Sequence, residues 1–178
     1  MQNEIIVSGF GGQGVMFGGQ LLAYTAMDHD LHVTWIPSYG PEMRGGTANC
    51  TVIVADEEIG SPLVRTPQAV IAMNLPSQNK YEPLIKPGGF LIVNASLINN
   101  YATREDITIR NIPANDLADQ AGNPKSLNIV MLGALLKVLP VFSLDALIES
   151  LNVHTPERNK RFIPANIKAL YLGYNFTE

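Results

Sequence analysis

The sequence feature that most constrains the fold is a run of glycines between a short apolar segment and a segment of helical periodicity. Residues 4–8 read Glu-Ile-Ile-Val-Ser, a pattern typical of a buried strand, and residues 9–14 read Gly-Phe-Gly-Gly-Gln-Gly. Apolar residues then recur at helical spacing from residue 13 to about residue 30. A strand that turns through glycines directly into a helix is a typical opening unit of a layered α/β fold.

The rest of the chain continues this alternation of strands and helices. Further strands are predicted at residues 32–36, 47–55, 69–73, 90–93 and 107–112, and further helices at 76–86, 113–120, 126–139, from 143 and from 164. We expect Pro37 to end the second strand and Ile59 to begin a return strand that forms a hairpin with the third. The pattern therefore predicts a layered α/β/α, Rossmann-like domain with a mixed, mostly parallel sheet.

The length and the low charge content bear on domain organisation and assembly. The 178 residues contain no dividing linker, so we expect a single domain, 1–178, with a C-terminal helical part from about residue 126. Charged residues make up 16% of the chain, against about 25% in typical proteins. The helix predicted at 126–139 is apolar nearly all round and should be buried or lie at an interface. We therefore expect the isolated chain to self-associate, most simply as a homodimer.

Composition also argues against several classes of protein. The net charge of −4 and the lack of a basic block argue against nucleic-acid binding. Residues 5–27 carry no charge, but their six glycines and two glutamines argue against a membrane span. The first four residues lack the positive charge of a signal peptide, and Cys50, the single cysteine, can neither form an intrachain disulfide nor hold an iron–sulfur cluster by itself. We expect a cytoplasmic protein that does not contact membranes.

The glycine turn is the first candidate site, because glycines let the backbone approach a phosphate at the N-terminus of the following helix. An NAD site would also need an acidic residue at the end of the second strand, and residues 35–39 read Trp-Ile-Pro-Ser-Tyr. No Lys-Ser or Lys-Thr follows the glycines, which excludes a Walker A loop. The turn either binds a phosphate-bearing ligand or only packs the strand against the helix. The candidate binding residues are Gly9, Gly11, Gly12, Gln13 and Gly14.

The second candidate site is the loop that follows the second strand, at the sheet edge where ligands of α/β proteins bind. Arg44 has a fixed fork of donors that suits a carboxylate or a phosphate, and it can alternatively pair with Glu42 within the loop. The flanking glycines would let a partner or a ligand approach closely. The candidate residues for contact with a partner or ligand are Tyr39, Gly40, Pro41, Glu42, Arg44, Gly45 and Gly46.

The remaining reactive side chains do not form a catalytic or metal-binding pattern. His29, His32 and His154 have no clustered third ligand, and Cys50 lies among β-branched residues as a buried apolar group would. Asn128, near a predicted helix start, could face a ligand or be a satisfied core amide. The charged run at residues 157–161 is interpreted as a solvated face. We therefore assign no catalytic residue and no metal ligand to this chain.

Several segments together make the sequence resemble the gamma subunits of 2-oxoacid:ferredoxin oxidoreductases. The principal matches are residues 9–14 with 18–23, and the segment 37–50. Further matches lie at residues 59–62, 72–77, 86–89, 94–96, 113–115 and 128–134. The resemblance spans nearly the whole chain, and residues 47–50 are more similar to the 2-oxoglutarate and branched-chain members than to the pyruvate members.

The resemblance implies a non-catalytic subunit of a complex that converts a 2-oxoacid and coenzyme A to acyl-CoA, CO₂ and reduced ferredoxin. Thiamine diphosphate, Mg²⁺ and iron–sulfur clusters would be held by other subunits: thiamine-binding alpha and beta subunits and a ferredoxin-like subunit, with ferredoxin as acceptor. The corresponding domain of the family is linked to coenzyme A handling, which directs attention to residues 9–14 and 39–46. The alternative is a stand-alone nucleotide- or phosphate-binding module that uses the same glycine turn.

Overall fold

A six-stranded sheet forms the centre of the molecule. In the computed structural model, residues 1–39, 47–99 and 104–177 are described. The strands of the sheet are β1 (Gln2–Phe10), β2 (His32–Tyr39), β3 (Thr47–Ala55), β4 (Ala69–Ala72), β5 (Phe90–Asn94) and β6 (Thr108–Ile112). They are arranged in the order β2-β3-β1-β4-β5-β6. β3 runs antiparallel to both of its neighbours, whereas β1, β4, β5 and β6 are parallel, so the mixed, mostly parallel sheet is confirmed.

Six α-helices in the described ranges connect and cover these strands. They are α1 (Val15–Asp28), α2 (Leu75–Tyr81), α3 (Ala114–Ala121), α4 (Leu127–Val138), α5 (Leu144–His154) and α6 (Ile163–Asn175). Short 3₁₀ turns at Glu82–Leu84, Pro124–Ser126 and Glu157–Phe162 follow α2 and precede α4 and α6. Apolar side chains on one face of the sheet pack against α1, α3, α4, α5 and α6, and those on the other face pack beside Tyr81 of α2. The sheet therefore has helices on both faces, as the sequence predicts.

Helix α4 lies in the centre of the larger core. Its residues from Leu127 to Leu136 are all buried within the chain, which confirms that an all-round apolar helix is interior. Because α6 and its neighbours cover it, α4 is not a free apolar surface, and the expectation of self-association loses the support it drew from this helix. Ser143 caps α5 as predicted, accepting a hydrogen bond from the Ala146 N–H at 3.1 Å. Ser126 instead donates to the Asn123 carbonyl and leaves α4 without a side-chain cap.

Two details of strand pairing differ from the sequence prediction. No strand begins at Ile59. β3 pairs along its full length with β1 and from Ala48 to Ala55 with β2, so the hairpin partner of β3 is the preceding strand. Pro37 does not end β2, which continues to Tyr39. A proline is tolerated there because β2 is an edge strand, where a residue whose N–H would face outward needs no partner.

Candidate functional site

The glycine turn connects β1 to α1 through two residues with left-handed backbone conformations. Gly12 has φ +94° and Gly14 has φ +76°, values that L side chains rarely adopt. Gln13, between them, holds the turn closed: its Oε1 accepts from the Phe10 N–H at 2.6 Å, and its Nε2 donates to the Met73 carbonyl at 3.2 Å. The turn is therefore fixed both to itself and to the residue that follows β4.

Helix α1 begins at this turn with unused hydrogen-bond donors. Its first backbone bond runs from the Gly18 N–H to the Gly14 carbonyl at 2.9 Å, and no side chain in the described ranges caps the preceding N–H groups. The first turn also carries no acidic residue. Asn128 of α4, which is buried, donates to the Gly14 carbonyl at 3.0 Å and so fixes α4 against the start of α1. The positive end of the α1 dipole is thus held in place and free to meet an anion.

A cleft of about 650 Å³ opens beside this helix start. Its wall is formed by the glycine turn, the start of α1, the start of α4, and the segment between α5 and α6. The residues that line it are Gly12, Gly14, Phe17, Asn123, Pro124, Lys125, Asn128, Ile129, Thr155, Asn159, Arg161, Phe162 and Asn166. This volume lies within the range typical of small-molecule sites.

The charges around the cleft favour an anionic ligand. Lys125 and Arg161 line it, and no carboxylate does so among the residues that the structure describes. The Arg161 guanidinium lies 4.7 Å from the centroid of the Phe162 ring. Thr155 is 5% exposed, and its hydroxyl has no hydrogen-bond partner among the described side chains and backbone. Two cations, a helix N-terminus and an unpaired hydroxyl therefore surround one cleft in a chain whose net charge is −4.

The structure brings only part of the predicted glycine motif to this cleft. Gly12 and Gly14 line it, whereas Gly9 lies in the core beside Gln13 and Met73. A Cβ on Gly9 would lie 2.6 Å from the Gln13 Oε1 and 2.9 Å from the Met73 Cβ, so this glycine serves close packing. Gly11 is exposed and does not line the cleft.

The second candidate site falls largely outside the described residues. Tyr39 is the last residue of β2 and is paired in register with Ala48 of β3. Gly40, Pro41, Glu42, Arg44, Gly45 and Gly46 lie outside the described residues, and their expected contacts stay predictions.

Sequence reasoning missed the two cations of the cleft. Arg161 belongs to the charged run at 157–161, which is exposed as the sequence predicts but also contributes to the cleft. Lys125 follows Pro124 in a turn that shows no motif. Asn128 is the candidate amide that the structure connects to the site, and it is a satisfied hydrogen-bond donor there. Only the proximity of α4 and α6 to the glycine turn identifies these residues, because 100 or more positions separate them from it in sequence.

Cys50 and His154 make contacts within the chain. Burial raises the pKa of the Cys50 thiol to about 11, and its Sγ donates to the Val15 carbonyl at 3.5 Å. The ring of His154 stacks on Tyr24 with 4.2 Å between centroids, and its Nε2 lies 3.0 Å from the Asp28 carboxylate. Burial disfavours the charged form of Asp28, but the interaction with His154 outweighs it and lowers the pKa of that carboxyl.

Neither a metal-ligand cluster nor a membrane-spanning helix is found in the described part of the chain. Within it, no three His, Cys, Asp or Glu side chains cluster as metal ligands would. None of the helices in that part has both the length and the apolar character needed to cross a lipid bilayer.

Comparison with protein families gives a match over nearly the whole chain. Residues 4–176 match the family described as pyruvate ferredoxin/flavodoxin oxidoreductase. Among solved structures, the gamma subunit of a keto/oxoacid ferredoxin oxidoreductase from Geobacter sulfurreducens PCA superposes with a TM-score of 0.83 at 29% identity, covering 97% of this chain and 96% of that one. The same arrangement of sheet and helices is therefore present in both chains.

Two curated relatives differ in how much of their length the chain spans. The 2-oxoglutarate synthase subunit KorC of Methanothermobacter marburgensis is 36% identical over 180 residues, covering 97% of this chain and 95% of that protein. The ketoisovalerate oxidoreductase subunit VorA of the same organism is 35% identical over 142 residues, covering 80% of this chain but only 29% of that protein. The chain thus spans less than a third of the longer relative and nearly all of the shorter one.

Proposed function

Because the chain belongs to the pyruvate ferredoxin/flavodoxin oxidoreductase family, we propose that it is the gamma subunit of a 2-oxoacid:ferredoxin oxidoreductase complex. The complex oxidatively decarboxylates a 2-oxoacid with coenzyme A and produces acyl-CoA, CO₂ and reduced ferredoxin. Thiamine diphosphate, Mg²⁺ and the iron–sulfur clusters belong to the alpha, beta and ferredoxin-like subunits. Support comes from the 36% identity to KorC across 97% of this chain, together with the 29% identity to the gamma subunit from Geobacter sulfurreducens.

The proposed substrate of the complex is 2-oxoglutarate, with 2-oxoisovalerate as the second candidate. The chain covers 95% of the 2-oxoglutarate synthase subunit but 29% of the ketoisovalerate oxidoreductase subunit, which favours the first. The complex is purified from its source through a tag on this chain and assayed with each acid, coenzyme A and a viologen acceptor. A higher kcat/KM for 2-oxoisovalerate than for 2-oxoglutarate would show that 2-oxoisovalerate is the substrate of the complex.

This subunit contributes binding rather than chemistry. The cleft beside the glycine turn holds the anionic, phosphate-bearing part of coenzyme A between Lys125, Arg161 and the N-terminus of α1. The observation that carries this assignment is the concentration of positive charge at one helix start in a chain of net charge −4. Thr155 supplies a hydroxyl that lacks an internal partner. No residue of this chain exchanges protons or electrons with the substrate in this proposal.

Coenzyme A binding to the isolated chain, measured by titration calorimetry, tests the role of the cleft. A hydrogen bond to a charged group contributes about 1.5–3 kcal/mol, so Arg161→Ala should raise the Kd at least about tenfold. Lys125→Ala should act in the same direction, and higher salt should weaken wild-type binding. Arg65→Ala is the matched control, because Arg65 is exposed and does not line the cleft.

Two results would contradict this assignment. Coenzyme A could fail to bind the folded chain at millimolar concentration, or Arg161→Ala and Arg65→Ala could leave the Kd equally unchanged. A chain that binds coenzyme A but copurifies with no thiamine-binding subunit would favour the alternative, a stand-alone nucleotide-binding module.

The absence of catalysis by this chain is tested separately. Purified alone and supplied with 2-oxoglutarate, coenzyme A and a viologen acceptor, it should show no turnover. Turnover in a preparation free of other subunits would contradict the non-catalytic role.

The loop that contains Arg44 is proposed as a second contact, with a partner carboxylate or with a coenzyme A phosphate. Both contacts need the planar guanidinium fork, so Arg44→Lys should not restore what Arg44→Ala loses. In the assembled complex, we expect weaker subunit association or a raised KM for coenzyme A. Unchanged kinetics of the complex together with a lower Tm of the isolated mutant would instead support an internal pair with Glu42.

A further inference from the structure

The two edges of the sheet are protected differently. At β6, the Arg110 side chain donates to the Phe176 carbonyl and so holds the C-terminal segment beside that strand. At the opposite edge, β2 pairs only with β3 among the described strands, along eight residues with the sequence His-Val-Thr-Trp-Ile-Pro-Ser-Tyr. This edge carries no lysine, aspartate or glutamate. A long, uncharged edge strand is a template for pairing with another strand.

The ladder determines which backbone groups of β2 face outward. The carbonyls of Glu4 and Ser8 accept from the N–H groups of Gln68 and Met73, so the even-numbered residues of β1 bond toward β4. The odd-numbered residue Val7 therefore bonds toward β3, where it is paired with Cys50.

Because Cys50 bonds toward β1, its other partner, Pro37, directs its backbone away from β3. Successive residues of a strand alternate, so the outward-facing set of β2 contains Val33, Trp35 and Pro37. In the described part of the chain, nothing bonds to the outward N–H and carbonyl of Val33 or of Trp35. Pro37 presents only a carbonyl, which excludes registers that would need its N–H.

We propose that β2 pairs with β2 of a second copy of this chain, antiparallel, about a two-fold axis at Thr34. In this register Val33 of each copy lies opposite Trp35 of the other, and the two pairs exchange four backbone hydrogen bonds. Pro37 lies outside these pairs, so its missing donor costs nothing. The two six-stranded sheets then form one continuous sheet.

Side chains on the axis agree with this arrangement. The Thr34 hydroxyl is enclosed and has no hydrogen-bond partner among the residues that the structure describes. At the axis the two Thr34 side chains are direct cross-strand neighbours, and rotation about χ1 lets their hydroxyls bond to each other. The register places Asp30 opposite Ser38, so no like charges face each other across the axis. Ile36, which is 39% exposed, becomes covered beside His32 of the copy.

Cysteine cross-linking of the full chain tests both the dimer and its register. Directly opposed residues of a non-hydrogen-bonded pair have Cα atoms about 4.5 Å apart, which permits a disulfide. Thr34→Cys should therefore give a disulfide-linked dimer under mild oxidation. Ile36→Cys is the matched control, because the two copies of residue 36 lie about 13 Å apart in this register. The buried Cys50 should leave the wild type unlinked.

Sedimentation velocity supplies the second measurement. The wild type at about 100 µM should sediment as a dimer, and oxidised Thr34→Cys should remain a dimer after dilution. A monomeric wild type would overturn the proposal, because the edge would then be free or reserved for another subunit. Linking through Ile36→Cys but not Thr34→Cys would overturn the register. The test does not involve coenzyme A, so its outcome is independent of the proposed function.

Discussion

Glycines are required in two regions of the molecule for different reasons. In the helical core, a Cβ on Gly173 of α6 would lie 1.9 Å from the Val130 carbonyl oxygen, and one on Gly133 of α4 would lie 2.1 Å from the Leu170 carbonyl oxygen. In the turn beside the cleft, a Cβ on Gly12 would have no atom within 4 Å, but the backbone has φ +94°. The helix crossing therefore needs glycine for space, whereas Gly12 needs it for backbone conformation.

The two requirements predict different energetic costs for a side chain. A collision with a backbone atom cannot be relieved by a rotamer change, so the helix crossing tolerates no side chain. A left-handed conformation costs an L residue only about 1–2 kcal/mol and leaves the surrounding contacts intact. Substitutions in the two regions should consequently differ in how much they lower the free energy of unfolding and in which residue types each position tolerates.

The largest effect is expected at the helix crossing. Gly173→Ala should lower the free energy of unfolding by about 3 kcal/mol or more, because α4 and α6 must move apart. For a chain of this size that corresponds to a fall in Tm of roughly 6–12 °C. Gly60→Ala is the matched control, since a Cβ there meets nothing within 4 Å, and it should change stability by less than about 0.5 kcal/mol. If calorimetry shows equal losses of stability for Gly173→Ala and Gly60→Ala, the close approach of α4 and α6 does not require glycine.

A second packing glycine should show a side-chain collision that another substitution relieves. A Cβ on Gly19 of α1 would lie 2.3 Å from the Cys50 Sγ, so Gly19→Ala should cost about 1–3 kcal/mol. Cys50→Ala removes the colliding sulfur, so the double variant should be about 1–2 kcal/mol more stable than the sum of the single effects predicts. Denaturant unfolding of all four proteins measures this coupling, and additive effects would contradict it.

The thiol that Gly19 accommodates should also make stability depend on pH. The folded-state pKa of Cys50 is raised from 9.0 to about 11, so the folded state holds its proton where the unfolded state loses it. Its contribution is therefore present below pH 9 and is lost as pH rises from about 9 to 11, by about 1.4 kcal/mol per pH unit. The wild type should lose stability over this range faster than Cys50→Ala. Parallel pH profiles of the two proteins would show that the thiol titrates normally.

The smallest effect is expected at the turn. Gly12→Ala should lower the free energy of unfolding by about 1 kcal/mol, and Gly12→Asn by less, because asparagine tolerates positive φ better than alanine does. The same replacement by asparagine at Gly173 should be worse than alanine, because it adds volume to a closed crossing. Thermal unfolding of the four variants checks this reversal, and a common order at both positions would show that one mechanism acts in both regions.

The order of the elements follows from local sequence patterns. The β-branched run at residues 47–55 matches β3 residue for residue, and the all-round apolar segment from Leu127 is interior. Such patterns are local, because a strand or helix must place its apolar side chains on the face that will be buried. The predicted pairing of β3 with a strand that begins at Ile59 was wrong, because a local pattern does not encode which strand pairs with which. The alternation of β3 predicts a strand but says nothing about whether the partner precedes or follows it.

The sequence by itself determined an α/β fold with a tight glycine turn between β1 and α1, and Gly12 and Gly14 have the positive φ that glycine allows in such a turn. Only the tertiary structure decided that Lys125, Thr155 and Arg161 line the same cleft as that turn, and that Gly9 lies in the core instead. The physical reason is that backbone conformation and periodicity are encoded by neighbouring residues. A binding site, in contrast, is made by the packing of distant helices, and surface charges there follow no local pattern.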